Sequence, residues 1–175
     1  MSTDELFEKF MLAYGVYYDV SREKAESPFD AEAVFSAKQE QYFLLHSAKL
    51  SEIQSNEYVF FAKRDYLTLE GLRELDARAW EYGLKKVKPN PNHKSSDITL
   101  IVIAGAAEES IRKEVRRMRH SKSYRFGFQG YSNYRLAVTE TSTGNSCFNR
   151  QGDSLKKLVA DIYQSNIFQE KERKK

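Results

Sequence analysis

A chain of 175 residues with 41% hydrophobic and 30% charged residues has the size and composition of one folded core, and neither an intrinsically disordered chain nor a membrane protein fits it. The longest apolar run, Ile98 to Ala107, is interrupted by Thr99 and Gly105 and falls well short of the roughly 20 residues a bilayer requires. Net charge is only +3, but residues 1–60 hold 11 Asp/Glu against 5 Lys/Arg while residues 61–175 hold 14 against 23, so an acidic start precedes a basic remainder.

Ser2 and Glu5 stand at the spacing of a capping box, and Leu6, Phe7, Phe10, Met11, Tyr14, Tyr17 and Tyr18 follow at three- and four-residue steps. This predicts an amphipathic first helix. Its aromatic stripe suits packing on the domain's own sheet, and a homo-oligomer through that stripe is the alternative. Asp4, Glu5 and Glu8 oppose the positive start of a secretory signal, and the single Cys147 allows no internal disulfide. A cytoplasmic location is expected.

Asp19 to Pro28 reads as polar turn, and Ala31–Lys38, Gln41–Ser47 and Glu57–Lys63 read as strands of an antiparallel meander, rich in β-branched and aromatic residues. Thr68 offers an N-cap to a second helix carrying Leu69, Leu72, Leu75, Ala79, Tyr82 and Gly83, stopped at Pro89-Asn90-Pro91. Ile98 to Ala104 is apolar on both alternating faces, as a central, doubly covered strand would be. Ala107, Ile111, Val115 and Met118 mark a third helix. Strands are then expected at Ser123–Phe128, Tyr134–Thr141 and Ser146–Phe148, joined through Gly130–Asn133 and Ser142-Thr143-Gly144-Asn145. Asp153 is placed to cap a last helix with Leu155, Leu158, Val159, Ile162 and Tyr163 on its apolar face. The expectation is an α+β fold, a mixed, mainly antiparallel sheet flanked by helices, forming a single domain over 1–168 with a charged tail at 169–175.

Catalytic motifs are missing where they would be sought. The turn after Ile98–Ala104 has one glycine and places Glu108 and Glu109 at a helix start, where they would repel a phosphate. His46, His93 and His120 share no ligand spacing, so neither a metal site nor a cofactor is expected. Cys147 reads as a small buried residue. A metal-dependent hydrolase or nuclease built on strand carboxylates would draw on Glu32, Glu57, Lys63 and Asp65, since the only Glu-x-Lys triplet, Glu172-Arg173-Lys174, lies in the tail.

The most distinctive polar feature is Arg112, Lys113, Arg116, Arg117, Arg119, Lys122 and Arg125, interrupted by a single acid, Glu114. The apolar stripe of the third helix would turn these cations to solvent, and Tyr124, Phe126, Phe128, Tyr131 and Tyr134 follow directly. Cations beside aromatic rings are what single-stranded nucleic-acid binders use for phosphates and bases. A non-catalytic binding role toward nucleic acid or another polyanion is therefore expected ahead of an enzymatic one, with no membrane partner.

At Phe126-Gly127-Phe128-Gln129-Gly130-Tyr131, Arg135-Leu136-Ala137-Val138, Thr143-Gly144-Asn145 and Asn149-Arg150-Gln151-Gly152, the C-terminal third, residues 97–160, resembles small bacterial proteins of uncharacterised families. The resemblance implies a bacterial, cytosolic protein of unknown role and transfers no catalytic residue.

Overall fold

The computed structural model describes residues 1–36 and 54–165; the strand expected at Gln41–Ser47 and the tail at 169–175 lie outside them. The first helix, α1 (Thr3–Tyr14), opens on the expected capping box: the Ser2 hydroxyl accepts the Glu5 N–H at 3.1 Å and the Glu5 carboxylate accepts the Ser2 N–H at 2.7 Å. Leu6, Phe7, Phe10, Met11 and Tyr14 are all buried in the chain's own core, while Tyr17 and Tyr18 of the expected stripe lie past the helix end, Tyr17 73% exposed. The polar stretch after it holds a short edge strand, β1 (Asp19–Ser21), that sequence reading takes as turn. Strands β2 (Ala31–Ser36) and β3 (Gln54–Leu67) follow, paired directly with each other and antiparallel through Ala33↔Val59, whereas a simple meander would pair each with the strand expected at Gln41–Ser47.

The connections from β3 to β4 and from β4 towards β6 are crossovers that carry helices. Helix α2 (Leu69–Lys86), capped by the Thr68 hydroxyl on the Gly71 N–H, returns the chain to β4 (His93–Ala107), which pairs parallel with β3. A short helix, α3 (Ile111–Val115), precedes the edge strand β5 (Ser121–Ser123) and β6 (Tyr131–Glu140), and β6 pairs parallel with β4. Strand β7 (Ser146–Phe148) folds back on β6, and a 3₁₀ turn at Gln151–Leu155 leads into α4 (Lys156–Gln164). The result is an open, mixed sheet in the order β1-β2-β3-β4-β6-β5, with β7 also on β6. The α+β expectation holds, with β4 central. The outer pairings are antiparallel, and the two long inner ones are parallel.

Alternation along β3, β4 and β6 divides the core in two, because successive side chains leave a strand on opposite faces. Phe60, Ala62, Leu100, Val102, Leu136 and Val138 pack under α2 and α3, while Val59, Phe61, Ile101, Ile103 and Ala137 pack under α1 and α4. β4 is thus apolar on both faces because helices cover both. Among the described residues no helix is long and apolar enough to cross a membrane.

Three local expectations are corrected. The third helix ends at Val115: the N–H groups of Arg117 and Met118 both close on the Glu114 carbonyl, at 2.8 and 3.1 Å, so the last turn tightens, and beyond it the Met118 carbonyl accepts from the buried Asn149 amide at 3.2 Å instead of from a next-turn N–H. Ser123–Phe128 is not a strand, because the N–H groups of Gly127 and Gln129 both close onto the Tyr124 carbonyl, at 3.0 and 3.2 Å. Asp153 does not cap α4 but sits inside the preceding 3₁₀ turn, where it pairs with Lys156 at 2.8 Å.

Candidate polyanion-binding surface

All seven basic residues singled out in the sequence are exposed, but they do not share one helical face. Arg112 and Lys113 lie on α3, Arg116 at its C-cap, Arg117 and Arg119 on the irregular connection, Lys122 on β5 and Arg125 in a 3₁₀ turn. This connection starts at the carboxyl end of β4 and delivers the chain to the amino end of β6. It therefore follows the length of the ten-residue β6, which at a strand's rise is about 33 Å. The cations form a line rather than a cluster. Among the described residues none of the seven has a carboxylate partner. Glu114, the one acid in the run, is held away by Arg73 at 2.9 Å, and no Asp or Glu follows it before Glu140.

At the end of this line the chain makes a tight loop over Tyr124–Gly130 that sequence reading misses. Arg125 and Phe126, neither of them glycine, hold φ of 46° and 56° in the left-handed region, followed by Gly127 at 92° and Gly130 at 77°. Each non-glycine residue there costs about 1–2 kcal/mol. The loop is fixed from below. The buried His93 ring donates from Nδ1 to the Gln129 carbonyl at 2.6 Å and meets the Ser96 hydroxyl through Nε2 at 2.8 Å, while the Tyr124 and Ser132 hydroxyls join at 2.9 Å. A Cβ on Gly130 would lie 2.4 Å from the Lys94 carbonyl oxygen, so backbone passes directly over backbone there. On this base Phe126 is 101% exposed and Phe128 85% exposed, beside Arg125. The signals in the sequence were Gly127 and Gly130, whose spacing favours a turn over a strand.

Other polar groupings lie elsewhere. His120, within the basic line, donates from Nε2 to the Asp76 carboxylate at 2.7 Å and is stacked on by Trp80, which ties the connection to α2. On the opposite sheet face, beyond the ends of α1 and α4, Arg135 bridges Glu57 and Asp97 from β3 and β4. The four residues of the hydrolase reading are not brought together. Glu32 is buried against Lys86, Glu57 joins Arg135, and Lys63 meets Asp4; Asp65 is exposed and, like Lys63, sits several residues farther along β3 than Glu57. A cavity of about 200 Å³ at the carboxyl ends of β4 and β6 is lined by Glu108, Glu109 and Glu140 against one cation, Arg112, and by Cys147. Burial pushes the Cys147 thiol up to about 11, so it stays protonated at neutral pH. Iodoacetamide is therefore expected to label the folded protein far more slowly at pH 7 than the unfolded chain; equal rates, followed by mass spectrometry, would count against this.

A family described as a domain of unknown function, DUF8052, matches residues 2–161. The chain belongs to the DUF8052 family. The match covers nearly the whole chain, so the likeness to uncharacterised proteins is not confined to residues 97–160. No curated protein and no solved structure matches this DUF8052 chain.

Proposed function

We propose that this DUF8052 protein is a non-catalytic binding module for nucleic acid, with the phosphate backbone lying along the basic connection from α3 to β5. The observation that supports this is the line of six exposed cations from Lys113 to Arg125, none with a carboxylate partner among the described residues, in a stretch that carries no acid between Glu114 and Glu140; Arg112, at its start, stands beside Glu108, Glu109 and Glu140. Surface cations in a folded domain usually have acids interspersed among them, and a one-signed line leaves a field that an extended anion neutralises by releasing its own counterions. A line as long as a strand suits a polymer better than a small anion. Such a partner is met in the cytoplasm, where a protein with one unpaired cysteine is at home.

The test compares two double variants with the same change of charge. Arg116→Glu/Arg117→Glu alters the line, and Lys156→Glu/Lys157→Glu alters exposed positions on α4, over the other sheet face. The first is expected to weaken binding to a single-stranded oligonucleotide and to flatten the log–log salt dependence by about 0.7 per lost phosphate contact. The second should bind as the unaltered protein does. Equal weakening in both would reduce the effect to net charge and overturn the proposal.

A further inference from the structure

Phe126 sits at the most exposed point of a loop whose every other feature restrains it. Nothing in the fold requires a large apolar ring there, since the side chain is 101% exposed and touches no core. Position 126 would accept glycine or asparagine more easily, because both tolerate a φ of 56°. The backbone is held under strain to present this ring, with His93, Ser96, Tyr124 and the Gly130–Lys94 contact fixing it from beneath. A second ring, Phe128, stands 85% exposed two residues on, and Tyr131 is half-exposed at the start of β6. Cations flank them: Arg125 precedes Phe126, and the Lys122 ammonium lies 5.5 Å from the Tyr124 ring. The loop thus combines solvent-facing π surfaces on a fixed backbone with cations that have no carboxylate partner among the described residues, at the end of the basic line.

We infer that this loop is a stacking platform that makes the protein selective for single-stranded nucleic acid, with Phe126 taking an unpaired base while Arg125 meets the adjoining phosphate. The inference rests on the nucleic-acid reading and narrows it to single strands. Charge complementarity decides the occupant. A base has a π face to lay on the ring whatever its identity, and its phosphate is the anion that the neighbouring cations lack. Duplex bases are already stacked on one another and offer no face to Phe126. Because the backbone beneath the ring is already fixed, only the side chain's own rotation is lost when a base arrives.

The test uses the full chain, an oligothymidylate of about 16 nucleotides and the matching duplex, at one salt concentration. Phe126→Ala is expected to weaken single-strand binding by about 5- to 100-fold, as loss of one base–aromatic stack does. Duplex binding and the salt slope should stay unchanged, and so should the melting temperature, since the ring packs on nothing. Phe126→Trp should retain single-strand affinity, with its added indole emission, read above that of Trp80, quenched by the oligonucleotide. Phe126→Leu keeps an apolar side chain without a π face and should bind as weakly as the Ala variant. If the unaltered protein binds the oligonucleotide and Phe126→Ala binds equally, the stacking inference fails while the nucleic-acid reading stands. Failure to bind either strand form would overturn both. If Phe126→Leu keeps full affinity, or if the unaltered protein instead binds vesicles of anionic phospholipid in a Phe126-dependent way, the loop is an apolar anchor and the inference is overturned.

Discussion

Asn149→Ala is expected to destabilise the fold by about 4 kcal/mol or more, among the largest effects of any single substitution in this chain. The outer edge of β6 is shared between three partners. β5 pairs with Tyr131–Asn133, β7 pairs with Ala137–Thr139, and the gap between them is filled by one buried residue. The Asn149 N–H donates to the Leu136 carbonyl at 3.1 Å, and its side-chain oxygen accepts the Leu136 N–H at 2.9 Å, so Asn149 completes the ladder where no strand reaches. The same oxygen accepts the Gly152 N–H at 2.7 Å, and the amide nitrogen donates to the carbonyls of Tyr134 at 3.1 Å and Met118 at 3.2 Å. Alanine would strand four backbone groups in the interior, each costing roughly 1–3 kcal/mol if water cannot reach it. Asn149→Asp keeps the acceptor but sets a carboxylate against two carbonyls, and should be about as harmful. Urea melts decide the matter: a loss below about 1 kcal/mol for both variants would show that the network is not cooperative in this way.

This residue also explains why part of the molecule was legible in the sequence and part was not. Where an element is set by neighbours three or four residues away, as in the Ser2–Glu5 capping box or the Thr68 cap of α2, the spacing is on the page. The central position of β4 follows from the unbroken apolar character of Ile98–Ala104, which only a doubly covered strand sustains. The end of α3 is different. Ile111, Val115 and Met118 keep helical spacing, yet Asn149, far along the chain, takes the Met118 carbonyl, and periodicity cannot register a partner that distant. The parallel pairing of β3, β4 and β6 lay in the strand–helix–strand order and not in side-chain alternation, which is the same whichever way a neighbour runs, and an expectation of a mainly antiparallel sheet passed over it. The candidate site divides in the same way. Its cations were visible as composition, since charge needs no partner to be noticed. The loop of Arg125 and Phe126 was hidden because its left-handed backbone falls on residues that normally avoid it.

The polar face beyond α1 and α4 supplies the other large effect, and it was invisible because its members come from three strands. Glu57 and Asp97 stand opposite each other on β3 and β4, with side chains only 14% and 19% exposed, and Arg135 on β6 is 26% exposed. One guanidinium serves both carboxylates, at 3.4 Å to Glu57 and 2.5 Å to Asp97. Hydroxyls of Tyr18 and Thr99 donate to Glu57, each at 2.8 Å, and the Asn133 amide donates to Asp97 at 3.3 Å. The Tyr18 phenol is accordingly held above its usual range, by burial first and then by the charge of Glu57. Arg135→Ala would leave two mostly buried carboxylates facing each other without a cation, and breaking such a pair from one side costs about 3–5 kcal/mol. If the cost arises from those stranded charges, neutralising them should recover most of it: Glu57→Gln/Asp97→Asn in the Arg135→Ala background is expected to be more stable than Arg135→Ala alone. A structural role that depends only on the arginine's bulk predicts the opposite, namely that the triple variant is no better than the single one. A thermodynamic cycle over these variants separates the two, and an interaction term near zero would show that the carboxylates and Arg135 do not act as a unit.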